Sequence, residues 1–237
     1  MVAEENIPTV SDTVGTVFEP VLVRPRLRGT LHAYAAGVSV LTGVALVTVA
    51  AVERSARAGW STALYSLTIV FLFGVSGLYH RGKWSERGRR VMKRLDHSMI
   101  FVFIAGTYTP IAVLALSHHA AVSVLAVVWS GAAAGVVLKM FWPTAPRWLG
   151  VPLYIALGWV AAFVMPGIVH GAGVTALVLI IVGGLAYTAG GIVYGLKRPN
   201  PFPTTFGFHE VFHVCTLLAA GCHYVAIWLV VMGSPNT

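Results

Sequence analysis

Charge is what this chain has least of. Of 237 residues, 10% are Asp, Glu, Lys or Arg, against about 25% in an ordinary soluble domain. Acids are scarcest, eight against sixteen basic residues. With 57% hydrophobic residues and a mean hydropathy of +0.80, this deficit excludes a soluble globular fold and makes lipid the solvent. There are two cysteines, Cys215 and Cys222, both in one apolar run. On one helix they stand about 10 Å apart along the axis, too far for a mutual disulfide, and read as reduced packing residues. No basic segment leads into a short apolar core near the start, so a cleaved signal peptide is not expected. Neither an internal repeat nor a separate soluble domain is evident.

What is present is a series of apolar runs. About 20 such residues cross a bilayer as a helix, and helices satisfy their own backbone hydrogen bonds. Seven runs qualify: residues 31–52, 60–80, 96–116, 120–141, 148–169, 173–195 and 208–232. The expected fold is all-α, a single domain of seven transmembrane helices over 24–237 preceded by a short segment, 1–23. Lysine and arginine set the orientation. Arg24, Arg26 and Arg28 precede the first run. Arg81, Lys83, Arg87, Arg89, Arg90, Lys93 and Arg94 lie in the second link, Lys139 and Arg147 in the fourth, and Lys197 and Arg198 in the sixth. Only Arg54 and Arg57 fall on the other side. This bias predicts a cytoplasmic N-terminus, an outside C-terminus and a multi-pass position in a bacterial inner membrane or plasma membrane. A net charge of +8 raises nucleic acid as a partner, but its distribution assigns it to topology and to anionic headgroups, so no nucleic acid is expected.

Residues 207–213 read GFHEVFH and contain H-E-x-x-H. Two histidines at i and i+4 share a helix face and can grip one metal ion, and in soluble metalloproteases the intervening Glu is the base. A thermolysin-type site needs a downstream Glu, and no acid follows Glu210; a metzincin needs a third His where Ala219 stands. An intramembrane metalloprotease, with Asp96 as a ligand, remains a minor alternative. Topology instead brings His80 at the end of the second run, Asp96 at the start of the third, and His209 and His213 to one depth. Ser76 lies one turn from His80 on the same face. Three imidazoles with an open fourth position suit a catalytic zinc, with Asp96 to handle a proton and Ser76 to orient water or a carbonyl. The plainer readings stay beside these: Asp96 as a helix cap or arginine partner, and His32, His97, His118, His119 and His170 as interfacial or helix-pairing residues. His223, about 21 Å from His209 along a helix, cannot share the metal and is expected to bond between helices.

Three blocks carry a resemblance: RPRLRGTLH (24–32), SGLYH (76–80) with LDHSMIFVFIAGTYTP (95–110), and GFHEVFHVCTLLAAGCH (207–223). The chain resembles the hemolysin III branch of the progestin and adipoQ receptor family, within a ceramidase-like group of seven-helix membrane proteins. That resemblance implies Zn2+ held by His80, His209 and His213 near the cytoplasmic helix ends, with Asp96 and Ser76 beside it. It also implies that Glu210 is not the essential base, since that position varies in the family. The role of His32 stays open. The expected function is a zinc-dependent hydrolase of lipid amide or ester bonds, with a lipid or fatty-acid-like substrate. The alternative is a membrane-homeostasis regulator or a cytolytic, pore-like protein with a structural zinc. Receptor-like signalling has no discriminating residue here.

Overall fold

The computed structural model describes residues 25–233; the segment 1–23 set apart in the sequence lies outside them. The described chain is helical: α1 (Thr30–Val49), α2 (Ala56–Arg81), α3 (Glu86–Ala115), α4 (His118–Phe141), α5 (Arg147–Gly158), α6 (Met165–Leu196) and α7 (Phe208–Met232). A π-turn, Ala50–Arg54, extends α1, and a 3-10 stretch, Trp159–Val164, joins α5 to α6. Among the described residues, six helical segments are long and apolar enough to cross a membrane, the 50 residues Arg147–Leu196 counting as one.

Serine starts three of the helices. The hydroxyls of Ser55, Ser85 and Ser117 accept from the amides of Ala58, Gly88 and Ala120, satisfying donors the first turn leaves open. Ser85 corrects two sequence expectations. The basic stretch 81–94 is not a loop, because α3 begins at Glu86 and only the short link 82–85 intervenes. Asp96 therefore sits nearly three turns inside α3 and does not cap it. Arginine and lysine propagate a helix well, and nothing requires the helix to stop where the apolar stretch stops.

Sequential helices pack as neighbours, and α7 returns against α1, α3 and α6. Small residues let the backbones approach. A Cβ added to Gly77 would lie 3.0 Å from Ala33 Cα, one at Gly106 2.2 Å from Thr68 Oγ1, and one at Gly190 2.8 Å from Cys215 Cβ. This is how helices associate where lipid removes the hydrophobic drive. Leu46, Tyr65, Phe73, Phe103, Ile168 and Ile227 fill the centre.

The long segment breaks at Gly173 (φ 82°, ψ 167°), a conformation essentially reserved for glycine. Its halves lie antiparallel. Trp159 Nε1 donates to Thr188 Oγ1 at 3.0 Å, and the Arg147 guanidinium lies 4.7 Å from the Tyr194 ring centre. One end of the bundle thus gathers the start of α1, the end of α2, the start of α3, the end of α4, the start of α5, the end of α6 and the start of α7. At that end Arg26 and Leu27 amides bond the carbonyls of Thr204 and Thr205, tying the turn before α1 to the link before α7.

Candidate metal centre

Three imidazoles meet at this end. His80 is the penultimate residue of α2, His209 lies in the first turn of α7, and His213 follows one turn later. Their ligand atoms all fall within 4.8 Å of one another. His80 Nε2 and His209 Nε2 are 3.1 Å apart. Tetrahedral zinc with bonds of 2.0–2.1 Å holds its nitrogens about 3.4 Å apart, so the triad fits such an ion with small side-chain shifts. His80 and His213 are buried and His209 is partly exposed. Two imidazoles arrive together because α7 is helical through GFHEVFH; the third depends on α2 lying beside it.

Gly29 fixes how close α1 comes. It has φ 76°, and an added Cβ would sit 2.4 Å from His80 Cβ. Because the chain turns so tightly there, α1 delivers His32 into the cluster. The His32 ring stacks on His213, with centres 3.7 Å apart and planes 14° from parallel. Its Nδ1 lies 2.9 Å from Ser76 Oγ. Of the two readings, interfacial or helix-pairing, His32 takes the second: it is buried between helices, and its Nε2 has no hydrogen-bond partner. Spacing along one helix cannot reveal a neighbour that comes from another; the signal available was the RPRLRGTLH block, whose glycine and histidine both reach the site.

Ser76 lies against the Asp96 carboxyl as well as His32, so one hydroxyl joins α1, α2 and α3. Asp96, Ser76, His32, His209 and His213 all border a cavity of about 160 Å³. The remainder of its wall is mainly apolar, including Leu72, Ile100, Phe103, Ile111, Ile168 and Ile180. An apolar chamber with a few polar groups at one end is the usual form of a small-molecule site.

Glu210 is elsewhere. Its Oε1 accepts from Arg28 Nε, and its Oε2 accepts from the Gly207 amide at 2.8 Å. It is fully buried and is not among the three groups placed to hold a metal. Its carboxylate caps α7 and fastens Arg28, and so the turn through Gly29, against the helix that carries two of the histidines. His223 bonds between helices as its position suggested, with Nε2 donating to the Ile180 carbonyl at 3.1 Å. His97 bonds the Lys93 carbonyl through Nδ1 at 2.7 Å. His118 and His119 lie at the start of α4, at the opposite end of the bundle.

A family model described as Haemolysin-III related matches residues 21–224. The Hemolysin-3 homolog of Bacillus subtilis (strain 168) is 28% identical over 181 residues, covering 75% of this chain and 82% of that protein. Hemolysin-3 of Bacillus cereus is 24% identical over 205 residues, 86% and 90% of the two chains. The human monocyte to macrophage differentiation factor is 26% identical over 177 residues, 73% and 71% of the two. No solved structure matches significantly. The match covers all three sequence blocks and reaches every helix of the bundle: this chain belongs to the haemolysin-III-related family of multi-pass membrane proteins.

Proposed function

We propose that this protein is a zinc-dependent hydrolase of lipid amide or ester bonds, working at the end of the bundle where the histidines meet. The carrying observation is the convergence of His80, His209 and His213, the latter two sharing the wall of an apolar cavity with Ser76 and Asp96. The three imidazoles would hold the ion, which when bound supplies the Lewis acidity that polarises an acyl carbonyl and makes water nucleophilic near neutral pH. The cavity wall binds an acyl chain and excludes water from it. The Asp96 carboxylate takes the proton released from the attacking water and returns it to the leaving amine or alcohol. Ser76 holds Asp96 and His32 in register, and the His32 stack keeps the His213 ring from turning.

Seven crossings with the N-terminus in the cytoplasm complete the proposal. The fold-back at Gly173 and the lysine and arginine bias support it. The enzyme reading is tested with purified protein and a fluorescent lipid amide and ester. Zinc-dependent release that falls by about 10²–10⁴-fold in Asp96→Asn is expected; release unchanged in that variant would remove Asp96 from the mechanism. A second reading, membrane lysis around a structural zinc, is favoured by the similarity to Hemolysin-3 of Bacillus cereus. Liposome leakage by protein lacking all three histidines would favour it over hydrolysis.

A further inference from the structure

Beyond the histidines, the same end of the bundle holds an excess of cations that no acid answers. Lys139, near the end of α4, is buried at 4% exposure. Its Nζ lies 5.8 Å from the Tyr154 ring centre. A Cβ at Gly150 would stand 2.9 Å from that Nζ, so the missing side chain there makes the room. Arg147 lies across the Tyr194 and Phe208 rings, 4.7 and 5.8 Å from their centres, and its Nη1 is buried without a hydrogen-bond partner. Lys93 stands one turn before His97 on α3, its carbonyl 2.7 Å from His97 Nδ1, and His97 lies within electrostatic reach of Lys93, Lys139 and Arg147. The ion pairs among the described residues, Arg28–Glu210 and Arg90–Glu86, involve none of the three.

One carboxylate stands near this group: Asp96 shares a cavity wall with Tyr154 and Tyr194, the rings beside Lys139 and Arg147. Three cations against one anion leave an excess of two positive charges in a partly desolvated place, where unpaired charge is costly. Helix dipoles do not cancel the excess, since Lys139 at a C-terminal end is favoured while Arg147 at an N-terminal end is disfavoured. A single carboxylate ligand would leave one cation unanswered. A phosphate monoester, with about −1.5 to −2 charge near neutrality, matches the excess, and a guanidinium fork suits its oxygens.

We propose that Lys93, Lys139 and Arg147 form an anion subsite beside the histidine cluster that takes a phosphate group, either from a lipid phosphomonoester or as inorganic phosphate. The Tyr194 and Phe208 rings under Arg147 both contact His209, with ring centres 5.6 and 6.3 Å from its own. Tyr154, Tyr194, His97 and Asp96 border the apolar cavity, so a phosphate held here leaves acyl chains a path into it. The subsite stands on these charges and does not depend on hydrolysis.

The test is native mass spectrometry of the intact protein in nonionic detergent. Three probes are used: phosphatidic acid, diacylglycerol of the same chains, and inorganic phosphate. Wild type should retain phosphatidic acid and not diacylglycerol. Lys139→Gln and Arg147→Gln should each weaken retention on the order of tenfold, as loss of a charge-assisted bond does. If inorganic phosphate displaces the lipid from wild type, the phosphate alone is recognised; if it does not, the lipid form is the ligand. The comparison among probes on wild type needs no variant to fold. Equal retention of diacylglycerol, or undiminished phosphatidic acid in a folded Lys139→Gln, Arg147→Gln double variant, would overturn the subsite.

Discussion

Glu210 shows how a residue can sit inside a metal-binding motif and serve another end. Both of its oxygens are engaged, by Arg28 and by the Gly207 amide. Removing Arg28 would leave a fully buried carboxylate without its counter-ion, a loss of about 3–5 kcal/mol. Arg28→Ala should therefore unfold at a clearly lower temperature in detergent, while Arg28→Lys should recover part of the loss. His80 gives a separate prediction. With one of three imidazoles gone, His80→Ala should purify with little or no zinc where wild type carries about one ion per chain, as three ligands plus an open position imply. Elemental analysis decides it, and equal zinc in both proteins would refute the triad. Asp96→Asn belongs with this pair: it should keep the zinc and lose turnover by about 10²–10⁴-fold, the range of a general acid–base group.

At the scale of elements, the histidine pair of α7 was legible because i, i+4 spacing is a local property of one helix. His80 and Asp96 were legible because topology fixes which helix ends meet. His32 was not, since its position follows from the positive φ of Gly29 and from the contact between that glycine and His80. The start of α3 was misjudged for a different reason: charge marks where a bilayer ends, and a helix continues beyond it. Gly29→Ala tests the α1 contact. The side chain would be strained at φ 76° and would collide with His80, costing on the order of 1–3 kcal/mol. It should lower zinc occupancy together with thermal stability, although residue 29 is no ligand. A stable Gly29→Ala with full zinc would show that α1 does not position the site.

For the whole molecule, the question is how many times the chain crosses. Arg147–Leu196 is 50 residues, about 75 Å if it were one straight helix, more than twice the roughly 30 Å hydrocarbon core. The break at Gly173 and the Trp159–Thr188 bond return its end toward its start. Thr144 and Thr204, the exposed residues on either side of this segment, must then face the same compartment. Replacing Cys215 and Cys222 and placing single cysteines at Thr144, Thr204 and His118 makes the parity measurable with a membrane-impermeant maleimide. His118→Cys should label in intact cells, while Thr144→Cys and Thr204→Cys should label only after the membrane is opened. Opposite behaviour of Thr144→Cys and Thr204→Cys would mean a single passage between them. It would also separate α5 from the end of α6, and with it Arg147 from Tyr194, dismantling the end of the bundle on which both the histidine centre and the cation cluster depend.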